Sequence, residues 1–159
     1  MILVLLGTFS IPFPRPLVEI EKLCKEGKLT EEVIVQSGHT RYESPYLKII
    51  PFMDITTLNL LYDKANIIIT HAGTGSMLNG IKRNKPVIAI PRLKKNKEHI
   101  DDHQLEILEV FSKMQYVLPW NESDSLYSIL QKANNFTPRK YISKKEVIID
   151  YLKTYIDSL

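Results

Sequence analysis

Short apolar segments alternate with amphipathic segments along most of this chain, and this alternation is the strongest constraint on its fold. Strands are predicted at 2–6, 33–36, 46–50, 66–70, 87–90 and 116–119. Most of these segments are apolar throughout, which is typical of parallel strands buried on both faces. Helices are predicted at 16–26, from Asp54 to about Lys64, from the residues after the fourth strand to about Arg83, and at about 100–113, 123–133 and 143–157. We therefore expect one α/β domain over residues 1–159, with a doubly wound, Rossmann-like parallel sheet.

In such sheets, ligands bind outside the carboxyl ends of the strands. The loops that should converge on one crevice are 7–15, 36–41, 51–54, 71–76 and 91–99. The helix predicted from about residue 100 should bury one apolar face, made by Ile100, Ile107, Leu108 and Phe111.

Composition narrows the class of protein further. The chain is 44% apolar and 25% charged, as in a soluble globular domain. Its net charge of +3, from 21 basic and 18 acidic residues, is too small to predict nucleic-acid binding. The apolar start of the chain is far shorter than the roughly 20 residues of a membrane span. We expect a cytoplasmic protein that meets a membrane only peripherally or through a partner.

A glycine loop follows the predicted strand at 66–70. Residues 71–76 read HAGTGS and place two glycines and two hydroxyl side chains where a helix begins. Unpaired backbone N–H groups and the helix dipole favour an anion there, so the loop predicts a phosphate site, with a plain strand–helix turn as the alternative. It fits neither the dinucleotide fingerprint, which needs a third glycine where Leu78 stands, nor the P-loop, which needs Lys and Ser or Thr where Ile81 and Lys82 stand.

A basic stretch and a His-rich segment follow. Seven Lys and Arg side chains lie between Lys82 and Lys97 without an acid, and they face phosphates, an anionic membrane surface or only solvent. His99 and His103 have the i, i+4 spacing of a metal site. However, the apolar Ile100 stands where zinc proteases of this spacing place the catalytic acid, and the helix dipole explains the neighbouring aspartates. We expect no metal.

Five segments in this order resemble the C-terminal domain of glycosyltransferase family 28. They are VIVQSGH at 33–39, PFMD at 51–54, NIIITHAGTGS at 66–76, NKPVIAIPR at 84–92 and EHIDDHQ at 98–104. The resemblance covers roughly residues 1–120. It extends to the catalytic subunit of the dolichol-linked N-acetylglucosamine transferase and is closest to the small single-domain subunits of bacterial capsule and exopolysaccharide glycosyltransferases.

The resemblance implies the donor half of a two-domain (GT-B) glycosyltransferase. Such an enzyme would be an inverting hexosyltransferase that moves a hexose from a UDP-sugar to a lipid-linked saccharide without a cofactor. The resemblance places the catalytic base on the other domain, so it implies no catalytic residue on this chain. A membrane-anchored partner subunit would supply that domain and recruit the chain to the inner face of the plasma membrane.

The resemblance also implies roles for individual residues. Gly7 and Thr8 match the first glycine turn of the nucleotide site. Phe52 and Met53 match the turn that recognises uracil, and Asn79 stands where several relatives carry a ribose-binding Glu. The remaining matches are Gly73, Thr74, Gly75 and Ser76 at the diphosphate, His103 and Gln104 at the donor sugar, and Arg92 and Lys94 as diphosphate-assisting candidates.

Two alternatives remain open from the sequence. The first is a non-catalytic nucleotide-sensing or regulatory module with the same fold. The second concerns an apolar stripe near the end of the chain, which predicts docking to a partner, packing onto the chain's own sheet, or both. It is formed by Ile148, Leu152, Tyr155, Ile156 and Leu159.

Overall fold

The computed structural model describes residues 1–158 and contains the predicted single doubly wound sheet. The strands are β1 (Ile2–Leu5), β2 (Val33–Gln36), β3 (Leu47–Ile50), β4 (Ile67–His71), β5 (Val87–Ile90) and β6 (Leu118–Pro119). The helices are α1 (Arg15–Lys25), α2 (Ile55–Lys64), α3 (Thr74–Ile81), α4 (His103–Lys113), α5 (Leu126–Ala133) and α6 (Lys145–Asp157). A short 3₁₀ turn covers Lys94–Asn96.

All strand pairs in the sheet are parallel, and the order is β3-β2-β1-β4-β5-β6. The order reverses between β1 and β4, which is the switch point where doubly wound sheets hold their ligands. The register pairs Leu5 with both Gln36 and Thr70, so the central strands end at one level. The loops that follow them therefore start from one edge, as the sequence predicts.

Two apolar layers cover the sheet because successive side chains of each strand point to opposite faces. Ile2 and Val4 belong to the layer formed with α1 and α5. Leu3 and Leu5 belong to the other layer, formed with α2, α3 and α4. Burial on both faces explains why these strands are apolar at every position.

The helix starts follow from local hydrogen bonds. The Asp54 carboxylate accepts from the Thr57 backbone N–H at 2.9 Å, which caps α2 as the sequence predicts. Helix α4 begins at His103, three residues later than expected, and the predicted burial of Ile100 is wrong because this side chain is 67% exposed. The Glu98 carboxylate accepts from Leu93 N–H and the Asp102 carboxylate from Lys94 N–H, so residues 98–102 form a loop instead of a first helical turn.

Helix α6 is the least buried element. None of its residues is buried, and the large apolar side chains that it exposes are Val147, Ile148, Tyr151, Leu152, Tyr155 and Ile156. Leu159, the last member of the predicted stripe, lies outside the described residues. Across residues 1–158, no helix has both the length and the apolar character that crossing a bilayer requires.

Candidate functional site

A tight cluster of small residues forms the floor of the crevice at the switch point. Gly7 follows β1 with φ +78° and Gly38 follows β2 with φ +58°, conformations that suit glycine. A Cβ on Gly7 would meet the His71 ring at 2.7 Å, and one on Gly73 would overlap the same ring. A Cβ on Gly38 would overlap the Gly7 carbonyl oxygen. Gly7 and Gly73 therefore let the loops after β1 and β4 pack directly against one imidazole, and Gly38 lets the loop after β2 pack against the Gly7 backbone.

His71 sits in this floor as the last residue of β4. Its Nδ1 lies 3.4 Å from the Leu5 carbonyl oxygen and 3.4 Å from Thr70 Oγ1. Burial lowers the pKa of His71, the hydrogen bond to the Leu5 carbonyl opposes this as the second largest effect, and electrostatic interactions with Arg92 and His99 lower it further. The ring is thus held neutral at pH 7, and a hydrogen bond from Nδ1–H to Leu5 would leave Nε2 as the acceptor.

Two loops bring unpaired backbone N–H groups to this floor. The N–H groups of Gly7 and Thr8 make no hydrogen bond to any residue in the described chain. The same holds for Thr74, Gly75 and Ser76 in the first turn of α3. Nothing lies within 4 Å of the position a Gly75 Cβ would take, so this turn is open. The arrangement can bind an anion such as a diphosphate.

Asn79 lies one turn further along α3, three residues after Ser76, and is exposed. Arg83 Nη1 donates to the Asn79 carbonyl oxygen at 3.0 Å and lies 3.5 Å from its side-chain oxygen. Residues three apart share a helix face, so Asn79 extends the open side of the first turn.

Phe52 and Met53 mark the far end of the crevice, beyond β3. The Gln36 side-chain oxygen accepts from Met53 N–H at 3.2 Å, which ties this turn to the end of β2. Phe52 is 52% exposed, and its ring contacts His39 edge-to-face with centroids 5.3 Å apart. Three strand spacings separate β3 from β4, about 14 Å, a span that an extended nucleoside diphosphate can bridge.

Gln104 lies on the other side of the glycine loop, on α4. It is only 8% exposed, and its side-chain oxygen accepts from Arg92 N–H at 3.0 Å. The amide nitrogen has no hydrogen-bond partner among residues 1–158, so it can donate to a ligand. His103 beside it is exposed, with Nδ1 3.5 Å from a Glu106 carboxylate oxygen. The structure thus ties Gln104 into the wall of the crevice and leaves His103 on the surface.

Of the two predicted diphosphate-assisting cations, Arg92 lies inside the wall of the crevice. Its side chain is 1% exposed and donates to the carbonyl oxygens of Leu6 and Ile11, at 3.0 and 2.6 Å. In this position the guanidinium is held by backbone carbonyls, so it could assist a diphosphate only without direct contact. Lys94 is exposed on the 3₁₀ turn, and its backbone N–H is held by Asp102.

Sequence reasoning missed the ion pair that anchors this wall. Arg15, at the start of α1, donates to both carboxylate oxygens of Glu98 at 2.8 and 2.7 Å, and also to the Pro91 carbonyl oxygen at 2.8 Å. Glu98 is 5% exposed, which is rare for an unpaired carboxylate. An acid directly after a basic stretch was the available signal, but it did not indicate a partner 83 residues away.

The two histidines considered as metal ligands have separate surroundings. His99 stacks on Phe9 with centroids 4.7 Å apart and pairs with Asp101 at 2.9 Å. Among residues 1–158, no group of three or more His, Cys, Asp or Glu side chains is arranged to hold a metal ion.

The fold and the site define a doubly wound α/β domain whose switch point carries an open helix start and a glycine floor. Comparison with known protein families specifies this class further. The chain belongs to the glycosyltransferase family 28 C-terminal domain family, whose model matches residues 1–157.

The curated relatives include subunits of a eukaryotic transferase. The chain is 32% identical to the UDP-N-acetylglucosamine transferase subunit ALG13 of Candida albicans over 62% of its own length. It is 36% identical to the protein of the same name in Saccharomyces cerevisiae over 45% of its length. The matched part covers 31% and 34% of those proteins, so the chain spans about a third of the length of the curated relatives it matches.

Solved structures share the fold. An NMR structure of ALG13 superposes with a TM-score of 0.55 at 19% identity, covering 95% of this chain and 94% of that one. The MurG protein of Acinetobacter baumannii also gives a TM-score of 0.55, at 17% identity, over 81% of this chain and 39% of MurG. At these identities the likeness concerns the fold alone.

Proposed function

We propose that this chain is the donor-binding subunit of a split GT-B glycosyltransferase, which binds a UDP-sugar and acts together with a partner subunit. The observation that carries the proposal is the convergence of unpaired N–H groups from the loops after β1 and β4 on one open floor. Membership of family 28 supports a nucleotide-sugar donor.

In the proposed complex, the nucleotide lies across the carboxyl edge of the sheet. Uracil contacts the turn at Phe52 and Met53, and the ribose lies near Asn79. The diphosphate accepts hydrogen bonds from the N–H groups of Gly7, Thr8 and the first turn of α3, at Thr74 to Ser76. Gly73 precedes this turn, and its own N–H donates to the His71 carbonyl oxygen. The donor sugar lies towards Gln104 and His103, with Lys94 at the rim. In this placement the nucleotide contacts the exposed Phe52 side chain, the exposed Asn79 side chain and the unpaired N–H groups at the start of α3.

The reaction is a displacement at the anomeric carbon of the donor sugar. A hydroxyl oxygen of the acceptor forms the new bond, and the bond from the anomeric carbon to the diphosphate oxygen breaks with its electron pair. UDP leaves with additional negative charge, which fixed N–H dipoles stabilise. A base accepts the proton of the acceptor hydroxyl. We place that base on the partner subunit.

UDP-N-acetylglucosamine is the first donor to test, because the relatives' names specify it. Transfer of a hexose to a lipid-linked saccharide in capsule or exopolysaccharide synthesis follows only from the resemblance seen in the sequence, and these relatives do not support it. The name of those relatives as subunits supports a partner. We place the chain at the cytoplasmic face of the membrane, held there by an anchored partner.

Calorimetric titration with UDP and with UDP-sugars, in the presence of a chelator, tests the site. We expect binding to the wild-type chain and at least about a hundredfold weaker binding to Gly75→Asp, because a carboxylate there repels the diphosphate. Gly75→Ala is the matched control and should bind normally, since space is open at this position. Equal affinity of Gly75→Asp for UDP would contradict the site assignment.

Transfer requires a second measurement. Radiolabelled donor, a lipid-linked acceptor and the purified partner should give product together, whereas this chain alone should give little or none. Binding of UDP-sugars without transfer under any of these conditions would favour the nucleotide-sensing alternative. Full transfer by the chain alone would contradict the split-enzyme proposal.

A further inference from the structure

Arg92 is a buried cation whose guanidinium is held by carbonyl oxygens. Nη1 donates to Ile11 at 2.6 Å and to the backbone carbonyl of Glu98 at 3.0 Å, and Nη2 donates to Leu6 at 3.0 Å. The guanidinium lies over the Phe13 ring at 4.7 Å, and Nε has no hydrogen-bond partner in the described chain. Carbonyl dipoles and an aromatic face hold the charge in place without neutralising it.

A second guanidinium packs against the same ring, and its charge is neutralised. Arg15 lies 5.3 Å from the Phe13 centroid and forms the two-point ion pair with the Glu98 carboxylate. The Glu98 carboxylate also acts on Arg92, whose pKa its charge raises, so one negative charge is shared between two guanidinium groups. The two arginines and one glutamate around Phe13 therefore leave one net positive charge inside the wall.

That charge lies directly beneath the floor of the crevice. The carbonyl of Leu6 belongs to the peptide whose N–H is that of Gly7, so the bond from Arg92 polarises this N–H away from the wall. The charge also reaches His71, whose pKa it helps to lower. Only the Leu6–Gly7 peptide group separates this charge from the floor. In a partly desolvated site, such a charge has a large effect on a bound anion because solvent screens it poorly.

We infer that Arg92 is a positioning residue that favours the diphosphate without touching it: the net positive charge that it leaves in the wall makes the crevice floor positive, and its hydrogen bonds fix the loop after β1. The inference rests on the proposed function for the identity of the anion. Arg92 has this role and Arg15 does not, because Arg15 contacts the same ring but forms the ion pair with the Glu98 carboxylate.

Binding of UDP and of uridine, followed by NMR, measures the effect of the charge, because uridine shares the base and ribose but lacks the diphosphate. Arg92→Met should lower the affinity for UDP at least about tenfold while uridine affinity changes less than about twofold. Arg92→Lys retains the charge and should keep most of the preference for UDP. The matched control is the double variant Lys28→Met with Glu26→Gln, which removes a paired cation from the Tyr127 ring outside the crevice and should leave the preference unchanged.

The His71 resonance gives a second measurement that needs no ligand. Its pKa should rise in Arg92→Met and stay low in Arg92→Lys, which also serves if the methionine variant does not fold. An unchanged ratio of UDP to uridine affinity in folded Arg92→Met, or equal losses for both ligands, would overturn the inference. Failure of the wild-type chain to prefer UDP would instead overturn the proposed function, and the His71 measurement would still report on the charge.

Discussion

At the scale of single residues, the site depends on the absence of side chains at two glycines and on the His71 ring that takes their space. The imidazole occupies the volume that side chains at Gly7 and Gly73 would need. The sequence predicts Gly7 and Gly73 as site residues, but it gives His71 no role, because a histidine after a strand has no spacing signal of its own. Its importance comes from contacts across β1 and β4, which only the fold supplies.

His71 predicts a pH dependence of stability. Its pKa in the folded chain lies below the ordinary value of 6.5, so the unfolded chain binds more protons between these two values. Stability should therefore fall as the pH drops below 6.5. Urea unfolding at pH 7.5 and pH 5.5 should show a smaller loss for His71→Asn than for the wild-type chain. An equal loss in both would show that His71 does not contribute.

Gln104 predicts a separation of binding from turnover. Gln104→Ala should leave UDP affinity within about threefold but reduce transfer, because the amide N–H is expected to bond sugar hydroxyls more strongly in the transition state. Since the Gln104 oxygen also accepts from Arg92 N–H, Gln104→Glu is the informative control: it keeps an acceptor but loses the amide donor. Recovery of transfer in Gln104→Glu would limit Gln104 to a structural role.

At the scale of elements, the strands could be predicted because burial on both faces imposes one composition on them. The helix starts were harder to predict, as α4 shows. Asp101, Asp102 and His103 have the composition of a first helical turn, but the Glu98 and Asp102 carboxylates accept from Leu93 N–H and Lys94 N–H and hold residues 98–102 in a loop. The local sequence predicts a helix from about residue 100, whereas the position of Glu98 depends on its ion pair with Arg15, 83 residues away in the chain.

The turns after β2 and α1 provide a matched pair of glycines. Gly38 and Gly27 both have positive φ, but a Cβ on Gly38 overlaps the Gly7 carbonyl whereas one on Gly27 meets nothing within 4 Å. Gly38→Ala should cost about 1–3 kcal/mol more in the free energy of unfolding than Gly27→Ala because of this overlap. Urea denaturation measures the difference. Equal costs would mean that backbone conformation alone governs both positions.

At the scale of the whole molecule, the two apolar layers are complete without α6. The start of this helix lies beside α4, and the two line a groove of about 640 Å³ that includes Val110, Met114 and Ile148. The predicted helix at the end of the chain is thus present with its apolar side chains exposed, which fits docking to a partner better than packing onto the chain's own sheet. The residue pattern predicts the apolar stripe but not what covers it, because packing onto the sheet and docking to a partner need the same composition.

Removal of residues 147–159 should therefore weaken recovery of the partner in co-purification while UDP binding and thermal stability persist. Within the full chain, Leu152→Asp should have the same effect, since it places a charge on the apolar side of α6. Lys153→Asp is the control, since Lys153 lies about 100° round the helix from Leu152 and outside the apolar stripe, and this variant should retain the partner. Undiminished recovery after the deletion would show that the partner docks elsewhere.

The exposure of α6 would also limit the amount of unassembled chain in a cell. An unassembled copy exposes an apolar helix, and chaperones and proteases bind such exposed apolar segments in incompletely folded proteins. Copies in excess of the partner would be cleared or would associate with one another, whereas assembled copies would persist. In the proposed assembly, the abundance of this chain would then follow the supply of the partner, and the stoichiometry would be maintained after translation.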